Sequence, residues 1–181
     1  MRLKIHSAIA STVIALATGL GQANGQKPHT SQVQETFSAE DEGVKKPAPI
    51  PAEVLAILSR DEMVRGELEN ENIKPERIPA SWFSASQIPL GEKNTNDLIV
   101  EAARPLVGAN VNMFWILIRT DWGFKLVLTL PSHDLAVLNR RSRGYRDIEA
   151  SAENCCSITT AKFRFNGKEY ERYSSKTENI K

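Results

Sequence analysis

Two periodicities divide this chain. A helical one occupies a single early stretch, and an alternating one recurs from residue 80 to residue 173. In "PAEVLAILSRDEMVRGELEN", Val54, Ile57, Leu58, Val64 and Leu68 return at helical spacings, and Met63 widens the stripe. That pattern predicts one amphipathic helix. Pro51 suits its first turn, and Glu53 suits the positive end of its dipole. Gly66 weakens the second half by ~1 kcal/mol relative to alanine, so a bend or fraying is expected there. The stripe is expected to pack on the sheet that follows.

After "IKPERIP" the texture turns to strands. "SWFSASQIPL", "DLIVEAA", "LAVLN" and "RDIEA" are short candidates. "MFWILIR" and "FKLVLTL" flank the turn "TDWG". "ITTAKFRF-NG-KEYERY" is the firmest hairpin, because Asn166-Gly167 is a strong two-residue turn signal. A two-residue turn would set Phe165 opposite Lys168, Arg164 opposite Glu169, Phe163 opposite Tyr170 and Lys162 opposite Glu171. Phe163, Phe165 and Tyr170 would then share one face, and the charge pairs the other. The expected fold class is therefore mainly β (α+β): two antiparallel four-stranded meanders with one N-terminal helix. The first meander spans Trp82 to Leu130 and the second Leu135 to Tyr173. Two meanders cannot close a propeller, so a sandwich or a curved sheet covered on one side by the helix is expected.

What precedes the helix changes the setting. "MRLKIH" is basic, Ser7 to Leu20 is apolar, and "GQANG" supplies small residues. This order reads as a signal peptide, residues 1–23, cleaved after Ala23. The apolar run is shorter than the roughly 20 residues a membrane span needs, so no transmembrane segment is expected after cleavage. Residues 24–50 hold few large apolar side chains, and composition predicts a disordered spacer with His29 solvated. Residues 51–181 then form a single helix-plus-β domain. The chain has 23 basic and 22 acidic residues, and the signal would remove Arg2 and Lys4. A nearly neutral exported chain has no global attraction to nucleic acid or anionic membrane.

Asp97 and Asp147 head similar steps, "NDLIVEA" and "RDIEASA", a blade-sized spacing apart. "IPLGEKNTNDLIV" resembles a degenerate loop-strand element of FG-GAP or VCBS-type repeats. The string from "GANVNMFWILIR" through "GYRDIEASA" to "FRFNGKEY" resembles small secreted bacterial proteins of unknown function. The resemblance covers roughly residues 82–173 and implies architecture without an activity. In FG-GAP repeats the loop binds calcium. Here Glu92, Asn94, Asn96 and Asp97 surround Lys93 and fall short of the six to eight oxygens calcium takes. No metal and no cofactor are expected, and Asp97 is expected to hold backbone amides.

Catalytic signatures are equally thin. Ser132, His133 and Asp134 are consecutive and cannot converge as a triad. One histidine beyond the spacer and two adjacent cysteines make no standard zinc set. No glycine-rich phosphate loop precedes a helix. No catalytic residue is assigned. The best binding candidates are Arg140, Arg141, Arg143 and Arg146 with Tyr145, since arginine forks grip anions and tyrosine adds a stacking face. Trp122, at a hairpin tip, is a further candidate, whereas Trp115 reads as core. Cys155 and Cys156 admit three states: a bond to each other, bonds to another chain, or two thiols. The run into "SITTAKF" favours a strand there, with one thiol buried.

The expected function is a periplasmic or secreted non-enzymatic binding module of unknown ligand, one version of which is the inhibitor or immunity type, and its partner is expected to be another envelope or extracellular macromolecule. An exported hydrolase working through carboxylates, or a structural envelope protein, is the alternative.

Overall fold

The computed structural model describes residues 33–38, 46–93, 96–107 and 111–180. The expected signal, residues 1–23, lies outside the described residues, and so does most of the expected spacer. The described residues belong to one unit, Ser31–Lys181.

The protein is mainly β. In chain order the described elements are β1 (Val33–Ser38), α1 (Ala52–Leu58), α2 (Glu62–Asn70), β2 (Phe83–Ile88), β3 (Asp97–Ala102), β4 (Asn112–Thr120), β5 (Gly123–Ser132), β6 (Asp134–Ser142), β7 (Tyr145–Glu153), β8 (Ser157–Phe165) and β9 (Tyr170–Asn179). Strands β2 to β5 form a four-stranded meander in sequence order, and β6 to β9 form a second. All pairings are antiparallel.

Alternation assigns the two faces of the first meander to two cores. Ile99, Phe114, Ile116 and Ile118 face Leu135, Val137, Ile148, Phe165 and Tyr170 of the second sheet. The alternate residues Leu98, Val100, Trp115 and Leu117 face Val54, Leu58, Val64 and Leu68 of the helices. The four-stranded sheet is thus the middle layer, and β3 is buried along its whole length. A strand covered on both sides must be apolar throughout, which "DLIVEA" nearly is. Each such aliphatic side chain contributes about 1.5–3 kcal/mol of burial free energy.

The expected disordered spacer contains a strand. β1 pairs with β6 and makes the second sheet five-stranded, in the order β1-β6-β7-β8-β9. Its Phe37 enters the core edge-on to Phe114, with ring centroids 6.5 Å apart. A segment too polar to fold alone gains order by completing another strand's hydrogen bonds.

The expected single helix is two. The break falls at Ser59–Asp61 rather than at Gly66. Asp61 caps α2, its carboxylate accepting from Met63 N at 3.0 Å and Val64 N at 3.4 Å. Its other oxygen accepts from Trp115 Nε1 at 2.9 Å. One aspartate therefore starts a helix and satisfies the buried indole that the helix covers.

The last hairpin keeps its faces but changes its register. Phe165 pairs with Tyr170 and Arg164 with Glu171, leaving a four-residue turn, 166–169. The Asn166 side chain accepts from Lys168 N at 2.8 Å and Glu169 N at 3.0 Å. That side-chain turn, with Gly167 at φ 106°, replaces the tighter two-residue one. A shift by two residues preserves side-chain parity, so the aromatic face survives. Lys162 pairs instead with Glu149 of β7, at 3.0 Å.

Cys155 and Cys156 occupy the turn between β7 and β8, both exposed and unbonded. The strand expectation fails here because the Asn154 side chain bends the chain, accepting from Cys156 N and Ser157 N at 3.0 and 2.8 Å.

Candidate functional site

Meander topology gathers alternate turns at one end of each sheet. The β2–β3 loop, the β4–β5 tip and the β6–β7 turn meet around a cleft of about 380 Å³ lined by Gly91–Lys93, Arg119–Asp121, Gly144 and Tyr145. Backbone bonds hold this end together. Gly91 bridges Tyr145, and Arg146 N donates to Leu90 O at 3.0 Å. Asp97, fully buried, accepts from Leu90 N and Gly91 N at 3.0 Å each and from Arg119 N at 2.8 Å. Three amides on one carboxylate fix the loop and the end of β4 as a single rim.

Trp122 stands on this rim. It is 97 % exposed, at the tip between Thr120 and Gly123. Thr120 Oγ1 donates to Gly123 O at 2.8 Å and accepts from Trp122 N at 3.2 Å, so the tip is braced. Backbone conformation favours glycine at position 123. Its φ is +115°, and a Cβ there would lie 2.6 Å from Glu53 Oε2. Glu53 also pairs with Arg119 at 2.7 Å, which ties α1 to the rim.

The arginine cluster divides by role. Arg141 Nη1 donates to Leu90 O at 2.7 Å and Gly144 O at 3.0 Å. Arg146 donates through Nε to Pro89 O at 3.3 Å and through Nη1 to Asn139 at 2.8 Å. Both guanidinium groups thus brace the turn from within. Burial and the neighbouring Arg141 charge lower the pKa of Arg146. Arg140 lies 3.2 Å from buried Asp147 and over the Tyr173 ring, whose other neighbour is Arg164. Arg143 is exposed at the turn itself, with φ 51°, and its chain rests against Gly167 of the β8–β9 turn. Tyr145 is half-buried, its ring 4.4 Å from that of Phe165, and burial followed by the charge of Asp97 raises its pKa.

Of the six expected binding residues, Trp122, Arg143 and Tyr145 therefore reach this end as usable surface. Arg141 and Arg146 are bracing groups, and Arg140 covers a buried carboxylate. Arg119, Thr120 and Asp121 complete the cleft and had no place in the sequence-based set. Their one signal was position, since they precede the exposed tryptophan in "RTDWG".

The cleft wall carries two acids, Glu92 and Asp121, and two bases, Lys93 and Arg119. Mixed charge with an aromatic post suits contact with a polar surface. A larger hollow of about 460 Å³ beside the helices is lined by Arg60, Arg65 and Glu76 among others, and none of the expected residues borders it. Among the described residues no three His, Cys, Asp or Glu side chains gather as a metal site, and no helix is long and apolar enough to cross a membrane. Ser132 and His133 belong to the crossing from β5 to β6. The single Ser132 hydroxyl proton is shared between Asp134 O and Ser151 O, and His133 sits 3.3 Å from the Asp134 carboxylate. Comparison with family models, with curated proteins and with solved structures finds no match.

Proposed function

We propose that this chain is an exported, non-enzymatic binding module that holds another envelope or extracellular macromolecule against its hairpin-tip end. The observation that carries the reading is Trp122, almost wholly exposed on a braced turn at the edge of a cleft. An unburied indole has much apolar area to gain from a partner, and a turn already ordered loses little entropy on binding. Tryptophan and arginine are also the residues that most often dominate interfaces. Arg143 supplies an exposed charge on the β6–β7 turn, and half-buried Tyr145 lines the cleft. An inhibitor or immunity role fits this arrangement, because both work by seating a rigid edge on another protein.

The test is affinity capture from envelope extract with wild-type protein and with the Trp122→Ala and Arg143→Glu variants, alongside melting curves. Partners held by the wild type should fall at least tenfold in the Trp122→Ala eluate at an unchanged melting temperature. An identical partner set in both eluates overturns the reading. Purified envelope-active hydrolases then serve as targets, and inhibition lost in Trp122→Ala distinguishes the inhibitor version.

A further inference from the structure

The two thiols lie at the β7–β8 turn, on a different turn from those that form the cleft. Both are exposed, and their sulfurs are 2.8 Å apart. Adjacent side chains in a strand point to opposite faces, so this approach requires the turn. Asn154 makes it. Its Oδ1 accepts from Cys156 N, from Ser157 N and from Ser157 Oγ at 3.1 Å, and its own N–H donates to Ser157 O at 3.0 Å. Ile180 N donates to Cys156 O at 2.8 Å, securing the turn from β9. None of these bonds involves sulfur. The turn therefore aims the thiols at each other without a covalent link.

We propose that Cys155 and Cys156 form a vicinal redox site, closing to an intramolecular disulfide with a low-molecular-weight disulfide as oxidant and reopening under excess thiol. One thiolate attacks a sulfur of the oxidant and expels the first small thiolate. The neighbouring thiolate attacks the protein sulfur of that mixed disulfide and expels the second. The two cysteines lose two protons and two electrons, and the oxidant becomes two thiols. The second step is the one the structure favours, because the attacking sulfur is already in place. The hydrogen bond between the sulfurs raises the pKa of the Cys156 thiol, so closure should quicken as pH rises through the thiol range. Neighbouring Cα atoms are about 3.8 Å apart, below the roughly 4.4–6.8 Å that disulfides prefer. The closed ring is therefore strained and easily reduced. It closes almost no chain, so its formation should leave the melting temperature nearly unchanged.

The experiment takes the fully reduced protein through mixtures of oxidised and reduced glutathione, traps free thiols with a maleimide, and weighs the peptide containing both cysteines. The expected product is a monomer whose peptide is unlabelled and two hydrogens lighter, reversed by excess reduced glutathione. Glutathione retained on both cysteines, chain-to-chain dimers, or full maleimide labelling in excess oxidant each overturns the proposal. Two further readouts keep folding separate. Cys156→Ser should melt as the wild type and stop at the mixed disulfide. Reduced wild type should bind one phenylarsine oxide across both sulfurs, and Cys156→Ser should lose that binding at least tenfold. Equal uptake by the two proteins overturns the proposal as well.

Discussion

Asp97 and Asp147 head matching steps in the two meanders, and both are fully buried, yet they sit in different company. Asp97 accepts three backbone hydrogen bonds from two segments. Asp147 receives no hydrogen bond among the described residues, and its near partner is the Nε of half-exposed Arg140. Tyr170 lies close enough to feel both. Burial first, then the charges of Asp97 and Asp147, raise its pKa, and it stays protonated to donate to Arg146 O at 2.7 Å. The lesson is that a repeated residue need not repeat a role. Asp97 serves a loop that must be pinned, because the rim of the cleft is built on it. Asp147 lies in β7 where the pairing with β6 shifts register, and its charge is met by a side chain rather than by backbone amides.

The sharpest way to break this comparison is at Asp97. Asp97→Ala leaves three amides without their acceptor, each at a cost of about 1–3 kcal/mol. The loss should exceed about 3 kcal/mol in denaturant unfolding. Asp97→Asn should also be costly, because its amide nitrogen must face at least one of those donors. Asp147→Asn should cost less than about 1 kcal/mol, since neutralising a weakly paired buried charge removes a desolvation penalty along with an attraction. Equal losses in the two asparagine variants would mean that the aspartates are interchangeable after all.

Next in size is Arg140→Ala, which strips Asp147 of its counter-charge. Removing one member of a fully buried pair costs about 3–5 kcal/mol. Arg140 is half-exposed and its ion pair partly screened, so about 1–2 kcal/mol is expected here. Asp147→Asn should rescue most of that loss in the double variant. A double variant no better than Arg140→Ala would show that arginine acts by covering Tyr173 rather than by pairing.

Trp122→Ala and Arg143→Glu should shift stability by less than about 0.5 kcal/mol, as exposed substitutions do. A large loss in either would make the hairpin-tip end a structural element and remove the basis for a binding role.

How far these features were legible follows from where their causes lie. The meanders were readable because alternation and turn residues act locally, as in "FKLVLTL" and "KFRFNGKEY". The rim was half-readable: Trp122 announced itself in "TDWG", whereas the bracing of Arg141 and Arg146 depends on carbonyls of Pro89 and Leu90, some fifty residues earlier. β1 was hidden because its order comes from β6, not from its own composition. The helix break at Asp61 was masked by a periodicity that continues through it, and its partner, Trp115, is distant in sequence. At Asn166 and Asn154 an asparagine side chain overrode the simpler reading of a tight turn or a continuous strand.

The smallest expected effect lies where the two meanders join. Asp134 opens β6 just after the chain leaves β5. Burial would raise its pKa, but hydrogen bonds from Ser38, His133 and Ser151 and the charge of His133 outweigh burial and lower it. A depressed folded pKa means the unfolded chain binds its proton first as acid is added. The contribution of Asp134 to stability is therefore complete above its ordinary value of 3.8 and is lost as pH falls through its lower folded value. Asp134→Asn should melt slightly lower than the wild type at pH 5, and the gap should narrow towards pH 2.5. The carboxylate is largely exposed, so the gap should be small throughout. A gap that widens in acid would show that the asparagine loses packing instead of charge, and that the crossing between the meanders is held without electrostatic help.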